Sequence, residues 1–356
     1  MDSTIYRKIE NHLKEIISQN ATLPDYKLPS ERMLSATFNV SRKPIRHAYQ
    51  NLIDKGYVVN IHGKGYFISQ KAREDAVIPN FRNSHKISLI IPSIVTQYSH
   101  DILSGVSDFC SSHHLELAIH ISDDKIDKES YLLRTVPLTD TKGIILFPGD
   151  NNSPYNTELS KLSIRKYPLV LVDRMVSNVH ASFFTSENHQ AMIDAVGFLR
   201  KKGFLHLVYM TAPATLASTV DARTNGFTHG LLRHYKVAKP QNIWILQGAF
   251  LNMKEQVIKY LTDYPETEVV IVSGSMRLPV LAAAEELGIS IPGKLRLMII
   301  DDELSPAEHQ SLKPYILKQD GYQIGYLAAQ ALYNQIYGDL RPVIKQLPVS
   351  IVDTTD

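Results

Sequence analysis

Cysteine is nearly absent. Cys110 is the single one in 356 residues, so no internal disulfide can form, a cysteine-based zinc cluster is excluded, and a reducing compartment suits the chain. Long apolar runs are missing as well. The longest strings, such as Leu169 to Val172 and Val269 to Val272, have strand length and fall far short of the roughly 18 residues of a spanning helix. Met1 to Ile17 is amphipathic and broken by Arg7, Lys8, Glu10, Lys14 and Glu15, without the apolar stretch or small-residue cleavage site of a secretory signal, so a cytoplasmic protein with no membrane contact is expected. There is no Walker loop, no G-x-S-x-G elbow, no G-x-G-x-x-G after a strand and no His-Glu-x-x-His pattern. No metal and no cofactor is therefore expected, and Asp123-Asp124 and Asp301-Asp302 show no partners for carboxylate catalysis, so the chain does not read as an enzyme.

The residues that are present, 44% hydrophobic and 21% charged, compose an ordinary soluble protein, and the length predicts two or three folded units. A net charge of +2 hides an asymmetry: residues 1–71 hold 11 Lys or Arg against 6 Asp or Glu, leaving 27 against 30 for the remainder. A basic end on a slightly acidic body predicts either contact with a polyanion or a solvated basic face.

Ile5, Ile9, Leu13, Ile16 and Ile17 recur at helical spacing before Ala21-Thr22-Leu23-Pro24 and predict a first helix. Ser30 is a good N-cap for a second helix through about Phe38, with Glu31 in its first turn, and Ser41 for a third helix that ends at Lys55-Gly56. Tyr57-Val58-Val59 and Tyr66-Phe67-Ile68, joined across His62-Gly63-Lys64-Gly65, read as a hairpin. The plan is a winged helix-turn-helix over residues 1–69. Arg42, Lys43 and Arg46 lie at the start of its third helix, opposite the apolar stripe formed by Ile45, Tyr49, Leu52 and Ile53. A helix presented this way fits a major groove, where Arg pairs with guanine and Lys neutralises phosphate. Ser30, Arg32 and the first-turn amides of the second helix offer phosphate contacts, and the wing tip offers a minor-groove contact.

Residues 70–85 are polar and non-periodic and read as a linker. From residue 86 to 356, short apolar runs such as Ile87 to Ile91, Gly143 to Phe147, Leu205 to Met210, Ile243 to Leu246 and Leu295 to Ile300 alternate with amphipathic stretches such as Asp101 to His113, Glu187 to Lys202, Met253 to Tyr264 and Arg277 to Leu287. This predicts an α/β fold with parallel sheets covered on both faces, in two lobes, binding its ligand at the carboxyl ends of the strands.

The ordered set Leu28-Pro29-Ser30-Glu31-Arg32, Val40-Ser41-Arg42, Ile45-Arg46, Leu52 to Tyr57 and His62-Gly63-Lys64-Gly65 resembles the DNA-binding domain of the GntR family. The resemblance implies double-stranded operator DNA as partner and contacts from Arg32, Ser41, Arg42, Lys43, Arg46, His62, Gly63 and Lys64, with Pro44 standing where the family usually has Thr. Residues 86–352 depart from the common GntR effector types. They are similar instead to the sugar-binding domain of LacI-family regulators, akin to periplasmic binding proteins, through Ile87 to Pro92, Gly143 to Leu146, Pro168 to Arg174, Asp221-Ala222-Arg223 with Gly226-Phe227, Glu286 to Ile289 with Ile291-Pro292, Asp301-Asp302 and Lys318-Gln319-Asp320. The combination looks like the arabinose-operon repressors of bacteria. It implies a homodimeric repressor released by a sugar bound between the lobes, with Asp173, Arg223, Asp301 and Gln319 as ligand residues and Phe250 as an aromatic face, although a lone Phe is more often core. The loop around Tyr98, His100 and Asp101 is expected to close one side. After Val272, Gly274-Ser275 replaces the family's common Asn-Asp, which turns attention to other groups such as Arg277. An α/β enzyme or a sugar carrier with a DNA-binding appendage is the alternative reading.

Overall fold

The computed structural model describes residues 3–20, 26–70, 72, 86–149, 157–176, 178–213, 217–337 and 341–355. The chain divides into two units, Met1–Ser84 and His85–Asp356. Of the expected linker, residues 71 and 73–85 lie outside the described set.

The first unit runs α1 (Ser3–Asn20), α2 (Glu31–Phe38), α3 (Arg42–Asp54) and the antiparallel hairpin β1 (Val58–Ile61) and β2 (Gly65–Ile68). Its core takes Ile9, Leu13 and Ile17 from α1, Leu34 from α2, Ile45, Ala48, Tyr49 and Leu52 from α3, and Val58 and Ile68 from the wing, the spacing that puts one face of each helix inward. The Ser30 hydroxyl accepts from Met33 N at 3.2 Å and caps α2, while Ser41 occupies the N-cap of α3 without a side-chain capping bond. Tyr49 fastens α3 to the wing: its ring stacks on Tyr66 at 3.8 Å and its hydroxyl donates to the Pro29 carbonyl. At the other end, Glu10 of α1 accepts from Lys55 at 2.6 Å and pairs with Lys14 at 2.9 Å. These ammonium groups, Lys55 foremost, hold its carboxyl down at about 2 against the effect of burial.

The second unit holds two six-stranded sheets. The first contains β3 (Lys86–Ile91), β4 (Glu116–Ile121), β5 (Thr141–Leu146), β6 (Leu169–Val172), β7 (Ser182–Ser186) and β13 (Ile344–Leu347), all parallel in the order β13-β7-β6-β5-β3-β4. The second contains β8 (Leu207–Thr211), β9 (Ile243–Ile245), β10 (Val269–Ser273), β11 (Arg296–Ile300), β12 (Tyr315–Lys318) and β14 (Ser350–Asp353), in the order β14-β12-β11-β10-β8-β9 with β14 alone antiparallel. Central strands such as Leu169–Val172 are buried at every position, as parallel strands covered on both faces must be. α4 (Gln97–Ser112), α5 (Ile126–Thr135), α6 (Thr157–Ile164) and α12 (Gly321–Ile336) cover the first sheet; α7 (Asn188–Lys201), α8 (Ser218–Tyr235), α9 (Phe250–Asp263) and α10 (Arg277–Glu286) cover the second. A short α11 (Pro306–Leu312) precedes β12. The chain thus passes between lobes after β7, after β12 and after β13.

Two helix crossings are made by glycine. A Cβ on Gly105 of α4 would lie 2.0 Å from the Tyr322 carbonyl oxygen, and one on Gly325 of α12 would lie 2.0 Å from that of Ile102. On the second lobe, Gly226 of α8 would meet the His189 carbonyl oxygen of α7 at 2.2 Å. Only a residue without Cβ allows backbones this close.

Candidate functional site

On the first unit, Arg32, Ser41, Arg42, Lys43, Arg46, His62, Gly63 and Lys64 are all exposed. They come from the start of α2, the start of α3 and the hairpin tip. Gly63 adopts φ +75 at that tip and Gly65 φ +108, with Lys27 Cε 3.1 Å from where a Gly65 Cβ would sit, so the turn needs glycine at both places. Arg32, Arg42 and Lys43 make no ion pair among the described residues. Arg46 differs: it donates from Nε (3.3 Å) and Nη2 (3.0 Å) to the Glu31 carboxylate, which also accepts from the Tyr66 hydroxyl at 2.8 Å. The Arg46 bond lowers the Glu31 pKa, with help from Tyr66, and raises that of Arg46. Glu31 therefore ties α2, α3 and the wing together and fixes the side chain of Arg46, which sequence alone does not reveal.

In the second unit, Asp173 and Asp301 occupy equivalent places in the two lobes. Each follows the third strand of its sheet order, β6 or β11, each has left-handed backbone (φ 63 and φ 66), and each backbone N–H donates to the next strand, Asp173 to Phe184 O at 2.8 Å and Asp301 to Leu317 O at 3.0 Å. Asp tolerates this conformation better than most residues, yet it remains uncommon and concentrates at functional positions. The buried Tyr98 hydroxyl donates to Asp173 Oδ1 at 2.9 Å, and Arg174 Nε lies 3.6 Å from Oδ2. Asp301 accepts both contacts of Gln319 Nε2, at 2.8 and 3.0 Å. Burial first, and then the charges of Asp173 and Glu303, push the Asp301 carboxyl up to about 6 despite the pull of Arg223 and Gln319. Burial and the same two aspartates hold the Tyr98 phenol well above its ordinary value. Asp173, Arg223, Asp301 and Gln319 are thus brought into one electrostatic neighbourhood between the lobes.

Arg223 of α8 donates from Nε to Asn188 Oδ1 at 2.6 Å, which orients its guanidinium. Gln319 is 5% exposed, and its Oε1 has no donor among the described residues; the buried Ser186 hydroxyl, at the end of β7, lies against the Tyr98 hydroxyl. A buried acceptor without a partner is unfavourable unless something supplies one. Phe250 is 44% exposed at the start of α9, neither core nor joined to this cluster by any described ring contact. Arg277 turns away: Nη1 donates to Gly274 O at 2.8 Å and Nη2 to Glu308 Oε1 at 2.9 Å.

Comparison with known proteins agrees with this division. The model of bacterial regulatory proteins of the gntR family matches residues 5–68, and that of the periplasmic binding protein-like domain matches residues 196–353. The chain pairs a GntR-type DNA-binding domain with a periplasmic-binding-protein-like domain. An arabinose metabolism transcriptional repressor of Halalkalibacterium halodurans is 23% identical over 84% of this chain and 80% of its own length. The ribose operon repressor of Bacillus subtilis is 24% identical over 76% and 80%. The crystal structure of transcription regulator CcpA of Lactococcus lactis has the fold of the second unit, with TM-score 0.65 and 18% identity over 76% of this chain and 98% of that one. A chain that carries these two domains is a transcription regulator. Among the described residues, no helix is long and apolar enough to cross a membrane.

Three residues of this cluster escape sequence reasoning. Asn188 and Ser186 sit at a strand-to-helix turn that carries no recognisable motif, and Glu303 follows Asp301 in a loop whose course only the fold reveals. Tyr98, His100 and Asp101, expected in a loop, lie instead in the first turns of α4, from which Tyr98 reaches Asp173.

Proposed function

We propose that the chain is a repressor of a carbohydrate-utilisation operon, a homodimer on pseudo-palindromic double-stranded operator DNA that a sugar releases. The observation that carries this reading is the convergence of Asp173 from one lobe with Arg223, Asp301 and Gln319 from the other, beside the unpaired Gln319 Oε1. Planar, charged acceptors and a guanidinium at the carboxyl ends of parallel strands are what a polyol with several hydroxyls requires. The arabinose and ribose operon repressors among its relatives support the same ligand class.

On the DNA side, Arg42 and Lys43 enter the major groove with the start of α3, Arg46 reads its edge while held by Glu31, Arg32 and Ser41 meet phosphates, and His62, Gly63 and Lys64 lie along the minor groove. Two copies of α3 must match two half-sites, so a dimer is the operative species. A sugar that draws the lobes together favours one arrangement of the dimer and DNA the other. The reciprocal coupling is of the order of 1–3 kcal/mol, enough to lower operator affinity by 5–150-fold.

Arg42→Ala and Arg46→Ala together test this division. The variant is expected to lose operator affinity by more than 10-fold and to bind sugar as the wild type does. Retained operator affinity contradicts the placing of DNA contacts on Arg42 and Arg46.

A further inference from the structure

Residue 274 stands at the carboxyl end of β10, on the edge of the sheet where Asp301 also emerges. It is glycine, and its φ lies outside the left-handed region, so backbone conformation does not require it. Space does. A Cβ at this position would lie 2.6 Å from both Cδ and Oε2 of Glu303 and 3.0 Å from its Cγ. The carboxylate of Glu303, delivered by the loop after β11, fills the place that a side chain at 274 would take.

That carboxylate has no hydrogen-bond donor among the described residues. Arg277 Nη1 approaches Oε2 only to 4.0 Å, beyond hydrogen-bond range, and its two Nη groups donate instead to Gly274 O, Glu303 O and the Glu308 carboxylate. The Ser305 backbone N–H, and then Arg277, hold the Glu308 carboxyl low at about 2. Glu303 keeps 20% of its side chain accessible, and burial raises its pKa against the pull of Arg277. Its charge is felt at Asp301, the residue that Gln319, itself with an Oε1 that lacks a donor among the described residues, also contacts.

We propose that Glu303 is a specificity-determining residue of the cleft, accepting a hydroxyl of an uncharged sugar from the place that a side chain at 274 would otherwise occupy. The proposal rests on the sugar reading of the cleft. Asp173 and Glu303 both act on Asp301, with Arg223 as the nearby cation, which makes an acceptor-rich wall suited to hydroxyl donors and repulsive to phosphorylated or acidic sugars.

The test is isothermal titration calorimetry on the full-length chain with L-arabinose, D-ribose, D-galactose and D-glucose, each also as a 6-phosphate or 5-phosphate. Uncharged sugar is expected to bind, and Glu303→Gln to weaken it by about 10-fold or more, since the lost bond is to a charged acceptor. One monodeoxy analogue of the bound sugar is expected to bind wild type and Glu303→Gln alike, which a merely structural role of Glu303 does not produce. Gly274→Ala, which displaces the carboxylate, is expected to weaken binding in the wild-type background and to add nothing in Glu303→Ala, and it supplies the same answer if Glu303→Gln does not fold. Sugar binding to wild type that Glu303→Gln or Gly274→Ala leaves within twofold, or a preference for the phosphorylated form, overturns this proposal alone. No binding of any of these compounds to the wild-type chain overturns the sugar reading and the proposal with it.

Discussion

Replacing Asp301 by asparagine removes a carboxylate that the fold carries at a cost. Its pKa stands at about 6 where an ordinary Asp lies at 3.8, and a difference of roughly 2 units corresponds to about 3 kcal/mol. Because the folded value is raised, the native state binds the proton more tightly than the unfolded chain. Stability therefore falls as pH rises from about 4 to about 6, and the whole penalty is present above that range. Asparagine keeps an acceptor for the 2.8 Å bond from Gln319 but loses the 3.0 Å contact and the charge assistance, together worth about 1–2 kcal/mol. The expected balance is a gain of about 1–2 kcal/mol near pH 8, or about 2–6 °C in Tm for a unit of this size. Near pH 4.5 the wild-type penalty shrinks to about 1 kcal/mol and the gain vanishes. Sugar affinity drops in the same variant by about 10-fold or more, so stability and function move in opposite directions. Differential scanning calorimetry at the two pH values, with sugar titrations alongside, reads all three quantities. A Tm lowered equally at both pH values refutes the burdened carboxylate.

Gly325→Ala forces a Cβ against the Ile102 carbonyl oxygen, 2.0 Å away, and is expected to destabilise the second unit by about 1–3 kcal/mol or more in urea unfolding; a neutral outcome contradicts the backbone contact between α4 and α12. Lys43→Ala is expected to weaken binding to all DNA sequences and to flatten the dependence of log affinity on log salt by about 1, whereas Arg42→Ala costs about 1–3 kcal/mol on the operator and relaxes base preference; the reverse assignment in salt-series anisotropy shows that the two cations exchange roles. Glu10, held at about 2 by Lys55 and Lys14, stabilises the first unit above its ordinary range near 4.5, and this stabilisation disappears as pH falls toward about 2. Glu10→Gln is accordingly expected to flatten the acid branch of a tyrosine-fluorescence melting profile, and an unchanged branch refutes the role of the pair.

The winged helix was legible because its signals are local. Ser30 caps α2 as its position predicts, and the stripe of Ile45, Tyr49 and Leu52 is buried as its spacing requires. The buried runs Leu169–Val172 and Val269–Val272 form strands, the second extending one residue further to Ser273, since hydrophobic segments of that length and flanking leave little else. β13 and β14 went unread: only Leu347 of Ile344–Leu347 is buried, and Ser350–Asp353 alternates exposed and half-buried, so edge strands lack the apolar run. The starts of α4 and α9 lie further N-terminal than their apolar periodicity suggested, at Gln97 and Phe250; in α9 the first-turn residues do not face the core, whereas in α4 Tyr98 does, with a polar residue on either side that hides it. Contacts distant in sequence left no trace: Arg46 with Glu31 across 15 residues, Arg223 with Asn188 across 35, and Glu303 beside Gly274. Arg277 had chemistry suited to a ligand, yet a neighbouring helix supplies Glu308 and consumes it.

The most direct measurement is fluorescence anisotropy of the full-length protein on labelled DNA from upstream of its own gene, at fixed salt, titrated with uncharged pentoses and hexoses. Salt-sensitive binding at nanomolar concentration, released 5-fold or more by one of these sugars, is the predicted result. Binding no tighter than to unrelated DNA, or specific binding that every sugar leaves unchanged or tightens, contradicts a sugar-released repressor.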